Sequence, residues 1–306
     1  MASAPSLPKN YRPALFLGAT VLPLLFPAYW LHVSILALYY AMLASSWNLL
    51  AGYTGQISFA HAAFAGAGAY VSGILAVSFG CPPWLGLFAA VAATGLLGLG
   101  LGALCLRMGG IYLSLATLGF SEIVRLVLVN EDRWTRGTMG LQVPGLLAEY
   151  SKPHYYLLFL AAALLFFAIL RKLTGSETGL AFRAVLNDET AAASLGIDTR
   201  RMRLYAFALS SALAGLAGAL YGHTLMILTP SMASLDQMFL ILAMAVIGGL
   251  GTLSGPIIGA VLLTFLSEKI RVYGECHLLV FGLAALAIVK LAPDGLVPFF
   301  ARDRAR

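Results

Sequence analysis

The chain has 306 residues, of which 60% are hydrophobic and only 10% are charged, and its net charge is +6. A soluble domain carries about 25% charged residues, so these few charges cannot cover a water-facing surface, and a soluble globular protein is excluded. The basic residues are dispersed between apolar segments, which argues against a nucleic-acid-binding protein.

Apolar segments of about 20 residues predict membrane-spanning helices. In chain order they predict an all-α, polytopic transmembrane bundle of about ten spans, at 14–31, 33–51, 58–78, 85–106, 109–129, 154–171, 203–227, 236–250, 256–270 and 277–292. Only His32 marks a turn between the first two spans. The first segment is expected to stay as an anchor rather than act as a signal peptide, because the rest of the chain also spans the membrane. The whole chain, 1–306, is therefore predicted to be a single membrane domain.

The distribution of Lys and Arg predicts the orientation, since short cytoplasmic loops carry an excess of these residues. Basic residues cluster near the N-terminus, after the fourth span, between 172 and 202, and in the C-terminal tail. With ten spans, both termini and the segment 172–202 lie on the cytoplasmic side of a bacterial inner membrane, and 130–153 lies outside. Cys81 and Cys276 both fall near the outer face, where a disulfide and two unrelated thiols remain alternatives.

Two segments, 52–70 and 248–260, are dense in glycine and other small residues. Small residues let membrane helices approach closely, and glycine and proline also permit broken helices that line a cavity. Tight packing and a break in the transport pathway remain two interpretations of both segments. The candidate residues are Gly55, Gln56, His61, Gly66, Gly248, Gly249, Gly251, Gly255 and Pro256.

The polar segment 172–202 predicts a short amphipathic helix at 180–195. Gly196 suits the left-handed position that ends a helix, and Asp198 or Thr199 suits the cap of the next span. This helix is interpreted either as a surface helix at the lipid interface or as a docking element for a cytoplasmic partner.

Ionisable residues inside a span are functional candidates. Glu122 and Arg125 lie three residues apart, so they share a helical face and can pair; a structural ion pair and a gating role are both open. The chain has no P-loop, catalytic motif or metal-binding spacing, so we predict neither an enzyme nor a cofactor or metal site.

Four blocks resemble the LivM-like permeases of branched-chain amino acid ABC importers. They are GQISFAHAAFAGAGAY (55–70), GIYLSLATLGFSEIVR (110–125), NDETAAASLGID with AFALSSALAGLAGAL (187–198 and 206–220), and GGLGTLSGPIIGA (248–260). The resemblance implies a second related permease, two cytoplasmic ATPase subunits that hydrolyse ATP, a periplasmic substrate-binding protein, and transport by alternating access.

By the same resemblance, the loop between the spans contacts the ATPase through Arg183, Glu189, Ala191, Ala192 and Gly196. Its pattern departs from the EAA-x-x-x-G loop of ABC permeases, because Glu189 precedes Gly196 by seven residues and is followed by Thr190. The substrate class implied is Leu, Ile or Val, with urea, short amides and aromatic acids as alternatives. A secondary transporter is disfavoured, because no span carries a chain of buried acids.

Overall fold

The computed structural model describes residues 27–105, 110–147 and 151–270, together with positions 282, 290, 295 and 296. The α-helices of these residues are α1 Ala28–Thr54, α2 His61–Ser78, α3 Pro83–Cys105, α4 Gly110–Asn130, α5 Asp132–Thr135, α6 Lys152–Thr174, α7 Glu177–Asn187, α8 Glu189–Ser194, α9 Thr199–Leu225, α10 Leu235–Gly248 and α11 Gly255–Ile270. Short 3-10 turns lie at Gly137–Met139 and Pro230–Ala233. Two short strands, β1 Leu141–Gln142 and β2 Ile227–Leu228, pair in antiparallel fashion.

Six of these helices, α1 to α4, α6 and α9, are long and apolar enough to cross a membrane. Three of them, α1, α2 and α9, are mostly buried, whereas α3, α4 and α6 expose most of their surface. The central helices pack closely because glycine leaves room for the neighbouring backbone: Gly218 lies on the Ala65 carbonyl, and Gly68 lies on Gly215. The bundle therefore has a core of three helices surrounded by helices with large outward faces.

The chain between α9 and α10 re-enters the bundle as strand β2 and a 3-10 turn, with no α-helix. The Leu228 side chain lies beside Gly73, and Ala233 lies beside Gly66. Gly66 precedes Gly73 by seven residues of α2, which is a distance of about 10 Å along the helix. Non-helical backbone is tolerated at membrane depth where protein buries it, and Pro230, Met232 and Ala233 are buried. As a result α10 begins inside the bundle and is only 14 residues long.

The prediction of an all-α membrane bundle is confirmed. Predicted spans 58–78, 85–106, 109–129, 154–171 and 203–227 correspond to α2, α3, α4, α6 and α9. The spans predicted at 236–250 and 256–270 overlap α10 and α11, which have 14 and 16 residues. Residues 14–26, most of 277–292 and Cys276 lie outside the described residues, so the ten-span count stays a prediction. Cys81 is a free cysteine, which agrees with two unrelated thiols rather than a disulfide.

The predicted division of 14–51 at His32 is wrong. Helix α1 begins at Ala28, directly after Pro27, and continues through His32 to Thr54. Proline has no N–H to donate and its fixed φ suits a helix start, which explains why the helix starts after Pro27. The polar His32 lies in the second turn of this helix.

Candidate functional site

Helix α7 is fastened to one end of the bundle by its apolar face. Phe182 is fully buried and Val185 is nearly so, and the helix packs against α1, α6 and α9. The guanidinium of Arg183 lies over the Tyr53 ring, 5.2 Å from its centroid. Because Tyr53 belongs to the last turn of α1, α7 touches the bundle where α1 ends.

The predicted helix at 180–195 is wrong as a single element, because the chain breaks at Asp188. Asp188 has an extended backbone, and its Oδ1 accepts hydrogen bonds from the N–H groups of Thr190 at 2.8 Å and Ala191 at 3.0 Å. Aspartate at an N-cap satisfies N–H groups that a new helix would otherwise leave unpaired. The cap thus starts a second helix, α8, at an angle set by Asp188.

Helix α8 presents one face outward and one inward. Glu189, Ala191 and Leu195 are exposed, with Leu195 at 81%. Ala192 is buried at 2% exposure, so it faces the protein, and of the two alanines expected to contact the ATPase only Ala191 is exposed. Gly196 ends α8 with φ of 85°, as predicted for a left-handed helix stop.

Arg203 joins this segment to residues 55–60, which link α1 to α2 within the glycine-rich segment 52–70 and are called the first glycine-rich loop from here on. Its guanidinium forms an ion pair with Glu189 at 3.1 Å. Its main-chain carbonyl accepts a hydrogen bond from Gln56 Nε2 at 3.2 Å, and Gln56 Nε2 also donates to Thr54 Oγ1. Leu186 of α7 lies against Gly55. The structure therefore brings together Gly55, Gln56, Arg183 and Glu189, which the sequence had placed in two separate groups.

The first glycine-rich loop is held in place along its length. Gly55 ends α1 with φ of 72°, a conformation that favours glycine. Trp47 Nε1 donates to the Ser58 carbonyl at 2.7 Å, and the Phe59 N–H donates to Thr117 Oγ1 at 2.9 Å. These bonds tie the loop to α1 and to α4, so it is an ordered break between two helices.

The second glycine-rich loop, residues 249–254, is tied to α1 by Asn48. Asn48 Oδ1 accepts from the Gly251 N–H at 2.9 Å, and Asn48 Nδ2 donates to the Thr252 carbonyl at 2.8 Å. Gly52, one turn further along α1, lies so close to Gly251 and Asn48 that no side chain would fit. Both glycine-rich loops thus contact the same C-terminal half of α1.

The hairpin of α10 and α11 is closed by glycine contacts. Gly248 lies on the Gly255 carbonyl, and Gly259 lies on Gly248 and Met244. Gly249 and Gly251 have φ of 117° and 70°, which side chains rarely adopt. Pro256 is buried in the first turn of α11. The backbones touch directly here, which is the geometry expected of small residues between helices.

His61 and Gly66 lie on α2, away from the Asn48 contact. His61 is completely buried; the main chain of Ser46 lies beside its ring, but neither ring nitrogen makes a hydrogen bond of good geometry. A methyl group added at Gly66 would come within 2.9 Å of the Ala233 Cβ. Gly66 therefore makes room for the re-entrant segment before α10.

Two cavities lie along α10. One of about 170 Å³ is bordered by tyrosines of α1 and α9 and by polar residues of the re-entrant segment. A second, of about 360 Å³, lies between α1, α10 and α11, and both share Leu36 and Tyr40. Helix α10 thus faces open space on one side. At the start of the helix, Tyr40 Oη donates a hydrogen bond to Gln237 Oε1.

Glu122 and Arg125 form an ion pair on α4, with Arg125 Nε donating to Glu122 Oε2 at 2.9 Å. Their side chains are 36% and 33% exposed, and they lie at the edge between the buried and the outward side of α4. The structure therefore does not bring this pair to either glycine-rich loop.

The comparisons with known proteins agree with this architecture. The model of the family described as branched-chain amino acid transport system, permease component, matches residues 29–289. The chain belongs to this family. It is 30% identical to the high-affinity branched-chain amino acid transport system permease protein LivM of Escherichia coli strain K12, over 95% of this chain and 75% of the relative.

Further relatives belong to the same group of permeases. LivM of Salmonella typhimurium is 29% identical, with the same coverage of 95% and 75%. LivH of Escherichia coli strain K12 is 25% identical over 73% of this chain and 79% of the relative. No solved structure matches the chain significantly. The resemblance inferred from the four sequence blocks is confirmed.

Proposed function

We propose that the chain is a transmembrane subunit of an ABC importer for branched-chain amino acids. It would work with a second related permease, two cytoplasmic ATPase subunits and a periplasmic binding protein. The family match over residues 29–289 supports this, as does the similarity to both LivM and LivH of one organism, which are named as permease proteins of the same transport system.

In this proposal the chain is one multi-pass domain of ten spans in a bacterial inner membrane. Both termini, the α7–α8 segment and both glycine-rich loops lie on the cytoplasmic side. The excess of Lys and Arg in the loops that face inward under this topology supports the orientation.

The observation that carries the proposal is the attachment of the α7–α8 segment. Arg183 and Leu186 contact the end of α1 at Tyr53 and Gly55, and Phe182 is buried beside Tyr205 of α9. Ala191 and Leu195 are exposed. A helix that presents small and apolar residues outward suits a groove in a partner protein. An ATPase that binds the outer face would move the inner face against α1 and the first glycine-rich loop.

The second glycine-rich loop would act as a hinge of alternating access, because it joins the short helices α10 and α11 and contains two glycines with positive φ, Gly249 and Gly251. Transport is then a shift between inward-open and outward-open states, driven by the different contacts that the ATPase makes in each.

The test is reconstitution of the chain in lipid vesicles with the second permease, ATPases and binding protein encoded beside its gene. We expect ATP-dependent leucine uptake that isoleucine and valine compete and urea does not. Uptake of urea or of aromatic acids instead of leucine would show that the substrate class is wrong, and uptake driven by an ion gradient without ATP would overturn the importer class.

The same vesicles test the coupling role with two neighbouring alanines. Ala191→Arg places a large cation on the exposed face of α8, so we expect normal membrane abundance but loss of uptake and of substrate-stimulated ATP hydrolysis. Ala192→Arg is the matched control: since Ala192 is buried, it should lower abundance instead. If the Ala191→Arg variant takes up substrate and hydrolyses ATP like the wild type, α8 has no coupling role and is only a helix at the membrane interface.

A further inference from the structure

Helix α4 has an outward face that differs from that of α6, another peripheral span. It is the least buried of the six candidate spans. Leu113, Thr117 and Ser121 form its buried side, and they face α2 and the re-entrant segment. The opposite side exposes large apolar side chains: Ile111, Tyr112, Leu115, Ile123, Leu126 and Val127.

The Glu122–Arg125 ion pair lies at the edge of this face, because Arg125 follows the buried Ser121 by one turn and both side chains of the pair are only partly exposed. Glu122 precedes the last residue of α4, Asn130, by eight residues, which places it about 12 Å from that end of the helix. In the proposed topology this end of α4 lies near the membrane surface, and a glutamate side chain is too short to reach that surface from such a depth. Acyl chains offer no hydrogen bonds to a partly exposed ion pair, and charged groups facing lipid are costly, whereas a polar protein surface accommodates them.

Gly119 lies on the same face, one turn before the ion pair. No described atom lies within 4 Å of the position that its Cβ would take, so contacts within the described chain do not require glycine there. Small residues between membrane helices allow a second helix to approach the backbone. Gly119 therefore leaves a shallow depression beside the charged pair.

Helix α6 is a peripheral span whose outward face differs from that of α4. Its outward face exposes Leu157, Leu165 and Ile169, and between Tyr155 and Leu170 it has neither a charged residue nor a glycine. The contrast separates two kinds of outward face, one uniformly apolar and one that combines a charged pair with a gap for a neighbouring backbone.

We propose that the outward face of α4, centred on Gly119, Glu122 and Ile123, is the contact surface for the second permease. The inference rests on the proposed function, which supplies that partner. A helix of the second permease packs over Gly119, and its polar groups surround the Glu122–Arg125 pair, which removes the pair from lipid. The outward face of α6 stays in contact with lipid.

Photocrosslinking in the assembled transporter tests this. The photoreactive residue p-benzoylphenylalanine is placed at position 123 in α4 or at position 165 in α6, because Ile123 and Leu165 are equally exposed, at 62% and 64%. We expect irradiation to crosslink the variant with the photoreactive residue at position 123 to the second permease. The variant with that residue at position 165 should crosslink only to lipid. Three results would each overturn the assignment. They are crosslinks to the second permease from position 165 but not from position 123, crosslinks from position 123 only to lipid, and crosslinks to another copy of this chain.

A second measurement uses two glycines with open surroundings, Gly119 in α4 and Gly100 in α3. Gly119→Leu should reduce the second permease recovered with a tagged chain by about tenfold, equivalent to ~1.4 kcal/mol of association, and Gly100→Leu should leave it unchanged. Equal recovery in both variants contradicts the proposed contact. If the second permease does not copurify with the unmodified chain, the proposed function itself is wrong. If the second permease copurifies and leucine uptake is normal, but position 123 gives no crosslink to the second permease, only the proposed contact surface is wrong.

Discussion

Replacing Asn48 with alanine tests whether α1 holds the second glycine-rich loop. Asn48 is 2% exposed, and its amide makes two hydrogen bonds to that loop, with the Gly251 N–H and the Thr252 carbonyl. Alanine removes both bonds and leaves two main-chain groups without their partner. No other residue of α1 is shown bonding this loop, so the effect of the substitution falls on one contact.

The magnitude follows from the burial of the groups left behind. An unsatisfied buried polar group costs about 1–3 kcal/mol. Gly251 and Thr252 are only half-buried, so the cost of leaving each main-chain group without a partner lies at the lower end of this range. The two costs together lower the free energy of unfolding by about 2 kcal/mol. In globular domains of comparable size that loss lowers the melting temperature by about 4–8 °C.

The assay is thermal unfolding in detergent, followed by uptake in vesicles. Asn130→Ala is the control, since Asn130 Nδ2 donates only to Leu126 within its own helix and the residue is exposed; its effect should stay within about 0.5 kcal/mol. Equal melting temperatures of the Asn48 and Asn130 variants would refute the reasoning, because the two bonds would then carry no stability.

Two other predictions concern packing and orientation. Gly66→Leu and Gly255→Leu should lower the yield of folded protein and its uptake, because the added side chains would meet Ala233 and the second glycine-rich loop; wild-type yield and uptake would show that these glycines are incidental. Reporter fusions at Arg306 and near Asn187 should both give a cytoplasmic signal, and a periplasmic signal at either position would overturn the topology.

The helices of the bundle were predictable because long apolar runs leave no other arrangement in a membrane. Their boundaries were predictable only where the local chemistry is decisive. Gly196 and Asp198 were recognised as a helix stop and a cap, and Asp198 Oδ1 does accept from the Arg201 N–H. Asp188 has the same capping chemistry, but it lies within a run of helix-compatible residues, so the break that it makes was missed.

The contacts of the candidate site were less predictable than its segments. Asn48 was overlooked, although a polar amide in an apolar span is itself a signal of a specific partner. Its partners lie more than 200 positions further along the chain, at Gly251 and Thr252, and one sequence carries no record of such pairings. The buried side of α8 was unpredictable for another reason: six residues are too few to define a helical face.

Helix α1 is the element through which the α7–α8 segment can reach the second glycine-rich loop. Tyr53 receives Arg183 of α7, and Asn48 binds Gly251. Five residues separate the two contacts, which is about 7.5 Å along one rigid helix, so a displacement of α7 acts on the turns that hold the loop. Coupling between distant sites is carried by contiguous packed elements. Because α1 is also the most buried candidate span, it cannot shift without repacking α9 and α11 around it.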